Sequence, residues 1–230
     1  MRLVLFVPSY RKREVIPLNE PAALREIPLL LATPVGWAEV ALRDTLALLC
    51  DHAYLEKKAA TNALELLNRW PEPSCPKEWA GTLAAIASDE ASHLSGVVRI
   101  LVDRGGRLDR SHRNDYANRL RLHVRKGEGS AELVDRLLVS ALIELRSYER
   151  FDLLARHCRG RDPVLSRFYH RLCSSELGHY RVFLRLAGLA VGALEVDSRW
   201  REMLAFEAAA MAVQPPGPRI HSGWAFDASG

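Results

Sequence analysis

A glutamate on the apolar face of a helix must be paired, protonated or bound to a cation, because an isolated ionised carboxylate in a core costs several kcal/mol. This chain places three glutamates that way. Glu56 stands in the row Leu42, Leu46, Leu49, Ala53, Glu56, Ala60, Ala63, Leu67. Glu90 stands in Leu83, Ile86, Glu90, His93, Val97, Ile100, and Glu176 in Leu165, Phe168, Leu172, Glu176, His179, Phe183, Leu186. Steps of three and four mark each row as one face of an α-helix. Two of the rows carry a histidine three residues on, as Glu90-Ala-Ser-His93 and Glu176-Leu-Gly-His179. That spacing sets carboxylate and imidazole on one face, one turn apart.

The composition supplies the helices these rows need. Leu, Ala, Arg and Glu dominate and β-branched residues are sparse, which favours helix over sheet. With 230 residues, 48% of them hydrophobic, the chain is long enough for one domain with a full core. Thr33-Pro34 reads as a cap followed by a first-turn proline, opening a helix to about Arg69. Pro71, Pro73 and Pro76 make a turn, and a second helix runs to about Val102, before Gly105-Gly106. A shorter helix is expected over Arg113 to Lys126. Ser130 is expected to cap a third long helix to about Cys158, and Asp162-Pro163 to open a fourth to about Ala187, with Gly188 and Gly192 closing it. The expected fold is all-α: a four-helix bundle over 34–187 with extra short helices, an accessory helix within 188–213, an irregular arm over 1–33 lying across the bundle, and a flexible Pro/Gly tail over 214–230. A short helix near Glu20 to Ile27 is expected in the arm.

Two Glu-x-x-His words, with a lone glutamate on each of two further helices, form the ligand set of a carboxylate-bridged di-iron site in a four-helix bundle. The heights match. Glu56 lies 13 residues before Arg69 and Glu90 lies 13 after Lys77, so they face each other across an antiparallel turn. In the second pair Glu176 lies 14 residues after Asp162; Glu144 lies 14 before Cys158, and Glu149 only 9. Both stand in apolar rows, so periodicity does not decide between them. The expected metal ligands are Glu56, Glu90, His93, Glu144, Glu176 and His179, with Glu149 as an alternative ligand or a partner to the ligands. Mixed carboxylate and imidazole donors suit iron. His52, one turn before Glu56, is a partner for it or a helix-face residue, and His157 and His170 are expected at the surface.

Charge is unevenly placed. Between Arg99 and Lys126 stand nine Arg and Lys against three Asp, an asymmetry that points to a polyanionic partner or to a solvated basic face. No apolar run approaches the roughly 18–20 residues that span a bilayer. Met1 to Pro8 is followed by Tyr10-Arg11-Lys12-Arg13 with no small-residue cleavage site, so no signal peptide is read. The four cysteines show no CxxC spacing, which points to a reducing cytoplasm.

Several stretches together resemble the MiaE family, tRNA hydroxylases that act on a hypermodified adenosine beside the anticodon. They are Thr33-Pro34-Val35-Gly36-Trp37, Asp51-His52-Ala53 through Glu56-Lys57-Lys58-Ala59-Ala60, Ser88-Asp89-Glu90-Ala91-Ser92-His93, Ile143-Glu144-Leu145-Arg146-Ser147-Tyr148-Glu149-Arg150-Phe151, and Phe168-Tyr169 through Ser175-Glu176-Leu177-Gly178-His179-Tyr180. The Glu-x-x-His pair is common to di-iron carboxylate proteins; the Glu-Lys-Lys-Ala-Ala and Glu-x-Arg-Ser-x-Glu-Arg-Phe runs are more specific. The resemblance implies a ferritin-like fold, two iron ions, O2 as co-substrate and two electrons from a reductase or ferredoxin. It implies hydroxylation of the isopentenyl side chain of 2-methylthio-N6-isopentenyladenosine in tRNA, by a cytoplasmic enzyme with no membrane partner. A tRNA partner makes Arg104, Arg107, Arg110, Arg113, Arg119, Arg121, Arg125 and Lys126 candidate phosphate contacts. Tyr148, Phe151 or Leu145 are candidates to line the prenyl path. Still open are a di-iron oxidase or peroxidase, an iron-handling protein, and a metal-free helical RNA-binding module.

Overall fold

A computed structural model of the chain describes residues 27–224. The helix expected near Glu20 and the end of the tail lie outside the described residues. Among the described residues there are seven α-helices: α1 (Trp37–Ala41), α2 (Thr45–Leu67), α3 (Trp79–Asp103), α4 (Asp115–Arg121), α5 (Ser130–His157), α6 (Pro163–Val191) and α7 (Ala193–Ala212). No strand occurs among the described residues, and no helix there is long and apolar enough to cross a membrane. The fold is a ferritin-like four-helix bundle. α2 packs along α3 and α5 along α6, each pair joined by a short link and therefore antiparallel. The longer link between the pairs carries α4.

Several boundaries differ from expectation. The first helix is broken: a 3-10 turn over Leu42–Asp44 separates α1 from α2. The cause is Asp44, whose carboxylate accepts from the Ala47 N–H at 2.9 Å and so caps a new helix. Thr33 caps nothing, because its hydroxyl and N–H are given to Glu149. Ser130 is the first residue of α5 rather than its cap; Gly129, at φ 55°, turns the chain into it. α4 is half the expected length, capped by Asn114, which accepts from the Ala117 N–H at 3.1 Å. Asp162 caps α6 as expected, accepting from Leu165 N–H at 3.1 Å. Gly188 stays inside α6, and Gly192, at φ 91°, ends it.

The apolar core lies in two blocks. One contains Leu66, Trp79, Leu83, Leu137, Phe183 and Leu186. The other contains Leu49, Val97, Phe151, Leu154, Phe168 and Leu172. On all four long helices the residues between the blocks are the polar ones: Glu56 on α2, Glu90 and His93 on α3, Glu144 on α5, Glu176 and His179 on α6.

The end of the chain corrects the expectation of a flexible tail over its described part. Residues 214–224 lie across α2 and α5, with Ile220, His221 and Ser222 buried. The Ile220 N–H donates to Asp51 at 2.8 Å, Trp37 Nε1–H to Ser222 Oγ at 2.9 Å, and Arg150 Nη2 to the Ser222 carbonyl at 3.0 Å. The Arg150 guanidinium stacks 4.0 Å above the Trp37 ring and 5.3 Å from that of Trp224. A strap held by polar contacts has no hydrophobic period to read. The segment before α1 is tied down in a similar way. Arg146 is fully buried and donates to Glu207 at 2.8 and 2.9 Å, to Glu149 at 2.5 Å and to the Leu31 carbonyl at 3.0 Å. Tyr116 adds a bond to Glu207 at 3.0 Å.

Two outcomes follow from these contacts. Arg146→Met leaves Glu207 buried without its cation and Glu149 with only the more distant Arg150, 3.9 Å away, and removing one partner of such a network costs about 3–5 kcal/mol. Urea unfolding of the variant is expected to show a midpoint lowered accordingly. Burial, then the charges of Arg150 and Arg146, hold the His221 imidazole well below its usual range. The folded state therefore keeps His221 neutral while the unfolded chain takes up a proton below about pH 6.5. Its contribution is present above that pH and lost as pH falls. Hydrogen exchange over 214–224, corrected for intrinsic rates, is expected to speed up between pH 7.5 and 5.5, and His221→Gln to flatten that dependence.

Candidate metal centre

The bundle brings the Glu-x-x-His words together. His93 Nδ1 lies 3.5 Å from Glu90 Oε2, 3.6 Å from Glu56 Oε2 and 3.7 Å from Glu176 Oε1. His179 Nδ1 lies 2.7 Å from Glu90 Oε1 and 3.8 Å from Glu144 Oε2. Two sets of four donors result, each within 4.8 Å of one another: Glu56, Glu90, His93, Glu176, and Glu90, Glu144, Glu176, His179. Glu90 and Glu176 belong to both. The imidazole rings stand 6.1 Å apart. Of the two candidate glutamates on α5, Glu144 lies in this cluster. Glu149 does not: Thr33 and Arg146 take up its carboxylate.

The electrostatics of the cluster call for cations. Burial, then the Glu144 charge, pushes the Glu90 carboxyl up to about 8. Burial and the charges of Glu144 and Glu90 push Glu176 well above the usual range. Burial disfavours the charged imidazoles, yet the carboxylates overcome it. They raise His93, beside Glu56 and Glu90, to about 10, and His179, beside Glu144 and Glu90, to about 11. Glu56 is the exception. Burial would raise it, but His52, its Nε2 2.5 Å away, and His93 draw it well below the usual range.

The donor set fits iron. Glu90 Oε1, Glu176 Oε1 and the Nδ1 atoms of His93 and His179 are buried and make no hydrogen bond, although they crowd together. Buried polar atoms normally have partners, and four that converge without one could hold a metal ion. Four carboxylates and two imidazoles match the hardness of iron, and two divalent ions balance four negative charges. Behind His179, Nε2 lies 3.3 Å from Asp89 Oδ2, the carboxylate–imidazole contact that fixes ring orientation at metal sites. Asp89 was not legible as a partner, because it reaches across from α3 to α6. His52 was visible only as a neighbour of Glu56. It is fully buried, stacked 5.5 Å from Tyr169 and tilted against Phe151 at 4.8 Å. His157 bonds Arg161 at the surface and His170 is exposed.

A cleft reaches the cluster between α2, α4 and α5. It holds about 630 Å³ of free space, its open mouth included, and Glu144 is part of its wall. Leu55, Ala59, Ala117, Val124, Val139 and Ile143 make the apolar lining; Lys58, Arg121 and Arg136 are the cations. Tyr148, Phe151 and Leu145 do not line this cleft and are buried elsewhere. Of the basic candidates, Arg121 alone faces this cleft. Arg104 is spent on Asp162 at 2.7 Å, Arg125 on Asp135 at 2.9 Å and Arg113 on Asp115. Arg107, Arg110, Arg119 and Lys126 are exposed.

Three comparisons bear on this geometry. Residues 23–222 match the family described as tRNA-(MS2IO6A)-hydroxylase (MiaE). A protein of Pseudomonas putida named tRNA 2-(methylsulfanyl)-N(6)-isopentenyladenosine(37) hydroxylase is 40% identical over 155 residues, which cover 67% of this chain and 72% of that one. Among solved structures, a Synechococcus protein with aldehyde deformylating oxygenase activity superimposes with a TM-score of 0.77 at 30% identity, covering 87% of this chain and 98% of that chain.

Anaerobic reconstitution with ferrous iron is expected to load about two ions per chain, read by elemental analysis. Glu90→Ala and Glu176→Ala, which remove donors common to both sets, are expected to hold fewer than one. Two ions retained in both variants would overturn the ligand set.

Proposed function

The chain belongs to the MiaE family of tRNA hydroxylases, and on that premise we propose that it hydroxylates the isopentenyl side chain of 2-methylthio-N6-isopentenyladenosine in tRNA at a centre of two irons. Glu56, Glu90, His93, Glu144, Glu176 and His179 would hold the irons, and Glu90 and Glu176 belong to both donor sets. When bound, the irons supply activation of O2, with two electrons from a reductase or ferredoxin, and insertion of one oxygen atom into a C–H bond. A tRNA substrate supports a cytoplasmic reaction.

The observation that carries this reading is the cleft. A centre that acts on an organic side chain needs an opening beside it that the side chain can enter; here one wall of an apolar opening is the cluster's own Glu144. A branched five-carbon prenyl group is apolar, and Leu55, Ala59, Val139 and Ile143 offer it a dry lining. The same lining keeps water from the reacting carbon. The chain's part is thus to orient the side chain against the Glu144 end of the cluster and to exclude solvent. Asp89 holds the His179 ring from behind, and His52 holds Glu56.

Nucleoside analysis of tRNA from cells with and without this chain tests the activity. A hydroxylated prenyl adenosine is expected only with it, and its absence from cells producing the iron-loaded chain would sink the reading. Ile143→Trp, which fills the cleft, is expected to lower kcat/KM by about tenfold or more, ~1.4 kcal/mol in transition-state terms, with iron content unchanged.

A further inference from the structure

One ordered group of polar side chains stands apart from the carboxylate cluster. His112, on the link between α3 and α4, has Nε2 2.7 Å from Asp51 Oδ1 and Nδ1 2.8 Å from Lys58 Nζ. The His112 carbonyl accepts a second bond from Lys58 at 3.4 Å. The Tyr54 ring lies parallel to the imidazole, 5.0 Å away and inclined by 4°. The other Asp51 oxygen is held by the Ile220 N–H. An ammonium only donates, so Nδ1 must be the accepting nitrogen, and Nε2 carries the hydrogen that Asp51 accepts. Four residues therefore fix one lysine, and they do so without neutralising it. Among the described residues Lys58 is paired with no carboxylate, and one of its three N–H donors has no partner.

That donor stands at the cleft. Lys58 and Arg121 both line it, and they are close enough for the Arg121 charge to act on the Lys58 ammonium. Neither has an ion-pair partner among the described residues. This sets them apart from their neighbours: Arg136 lies 2.7 Å from Glu132, Arg125 is paired with Asp135 and Arg104 with Asp162. Two uncompensated cations at one opening repel each other unless an anion lies between them. A nucleotide whose base side chain fills the cleft leaves its flanking phosphates at the rim.

We propose that Lys58 and Arg121 form a phosphate clamp for the RNA backbone at the mouth of the cleft, with His112 and Asp51 as positioning residues for the Lys58 ammonium. The clamp rests on the tRNA-hydroxylase reading above and names the contact that seats the modified nucleotide. It also moves the RNA footprint from the Arg-rich link as a whole to one edge of it.

The test is binding of the iron-loaded chain to an anticodon stem–loop carrying the prenylated adenosine, by fluorescence anisotropy over a range of salt. Lys58→Met and Arg121→Met are each expected to weaken binding about tenfold and to lower the log–log salt slope by about 0.7–1. Lys58→Arg, which keeps the charge, is expected to retain the slope. His112→Phe keeps the stacking on Tyr54 but removes Nδ1; it is expected to weaken binding less than Lys58→Met and to add nothing to it in the double variant. A neutral methylphosphonate on one side of the prenylated base is expected to abolish the effect of Lys58→Met. Lys58→Met with a lowered Tm but an unchanged slope and affinity would mean that the lysine only braces the link, and would overturn the clamp. A wild-type chain that binds and hydroxylates the stem–loop, with both Met variants equal to it, overturns the clamp alone. A wild-type chain that does neither overturns the hydroxylase reading and the clamp with it.

Discussion

Mutual repulsion of buried carboxylates is the constraint on which this structure depends. Glu56, Glu90, Glu144 and Glu176 share one layer of the bundle, and helices carrying them have no reason to come together on their account. What brings them together is the apolar material on either side. Trp79, Leu83, Leu137 and Phe183 close one end; Leu49, Val97, Phe151 and Phe168 close the other. Each block fixes the register of all four long helices, and the polar layer is held between two clamps it did not make. Burial of that order exceeds the cost of one strained layer. A bound cation pair would turn the strained layer into an attractive one, so folding and metal loading act in the same direction.

Charge is handled differently away from that layer. Arg146 and Arg150 are both fully buried on α5, and each is satisfied by parts of the chain remote in sequence: Glu207 and the segment before α1 for the first, the strap and two tryptophan rings for the second. These contacts tie both ends of the described chain to the same helix that contributes Glu144. The site's geometry therefore rests on the ends of the chain as well as on the bundle.

Much of this was legible before any coordinates. Periodicity placed Glu90, His93, Glu176 and His179 on buried faces, and residue counts from the turns matched Glu56 to Glu90 and Glu144 to Glu176. What stayed hidden has a common physical cause. Asp89 meets His179 across helices, and one residue's offset from Glu90 carries no periodic signal. Glu149 sat in as good an apolar row as Glu144; the residue count favoured Glu144, and in the structure the fully buried Arg146, with Thr33, takes up Glu149. The break at Asp44 is a local cap competing with a long helical pattern. The strap over 214–224 is held by hydrogen bonds and ring stacking, which leave no hydrophobic period. Arg104 and Arg125 looked like RNA contacts because net charge does not reveal which cations already have partners.

The two helix pairs invite superposition. Glu56 is followed two residues on by Lys58 and preceded four back by His52; Glu144 is followed by Arg146 and preceded by Ser140. The groove between α2 and α5 thus has two ends built from corresponding positions. At one end His52, Arg146, Arg150 and the strap fill it. At the other end stand Ser140 and Lys58, and the cleft remains. A near-twofold scaffold has in this way acquired a direction. Its two halves supply equivalent donors, but the apolar cleft opens on Glu144, whereas His93 meets a separate opening lined by Arg99, Phe168 and Arg171, so the two metal positions would be alike in donors and unlike in surroundings. Between two like helix pairs, filling one end of the groove is enough to leave unlike approaches to like donors.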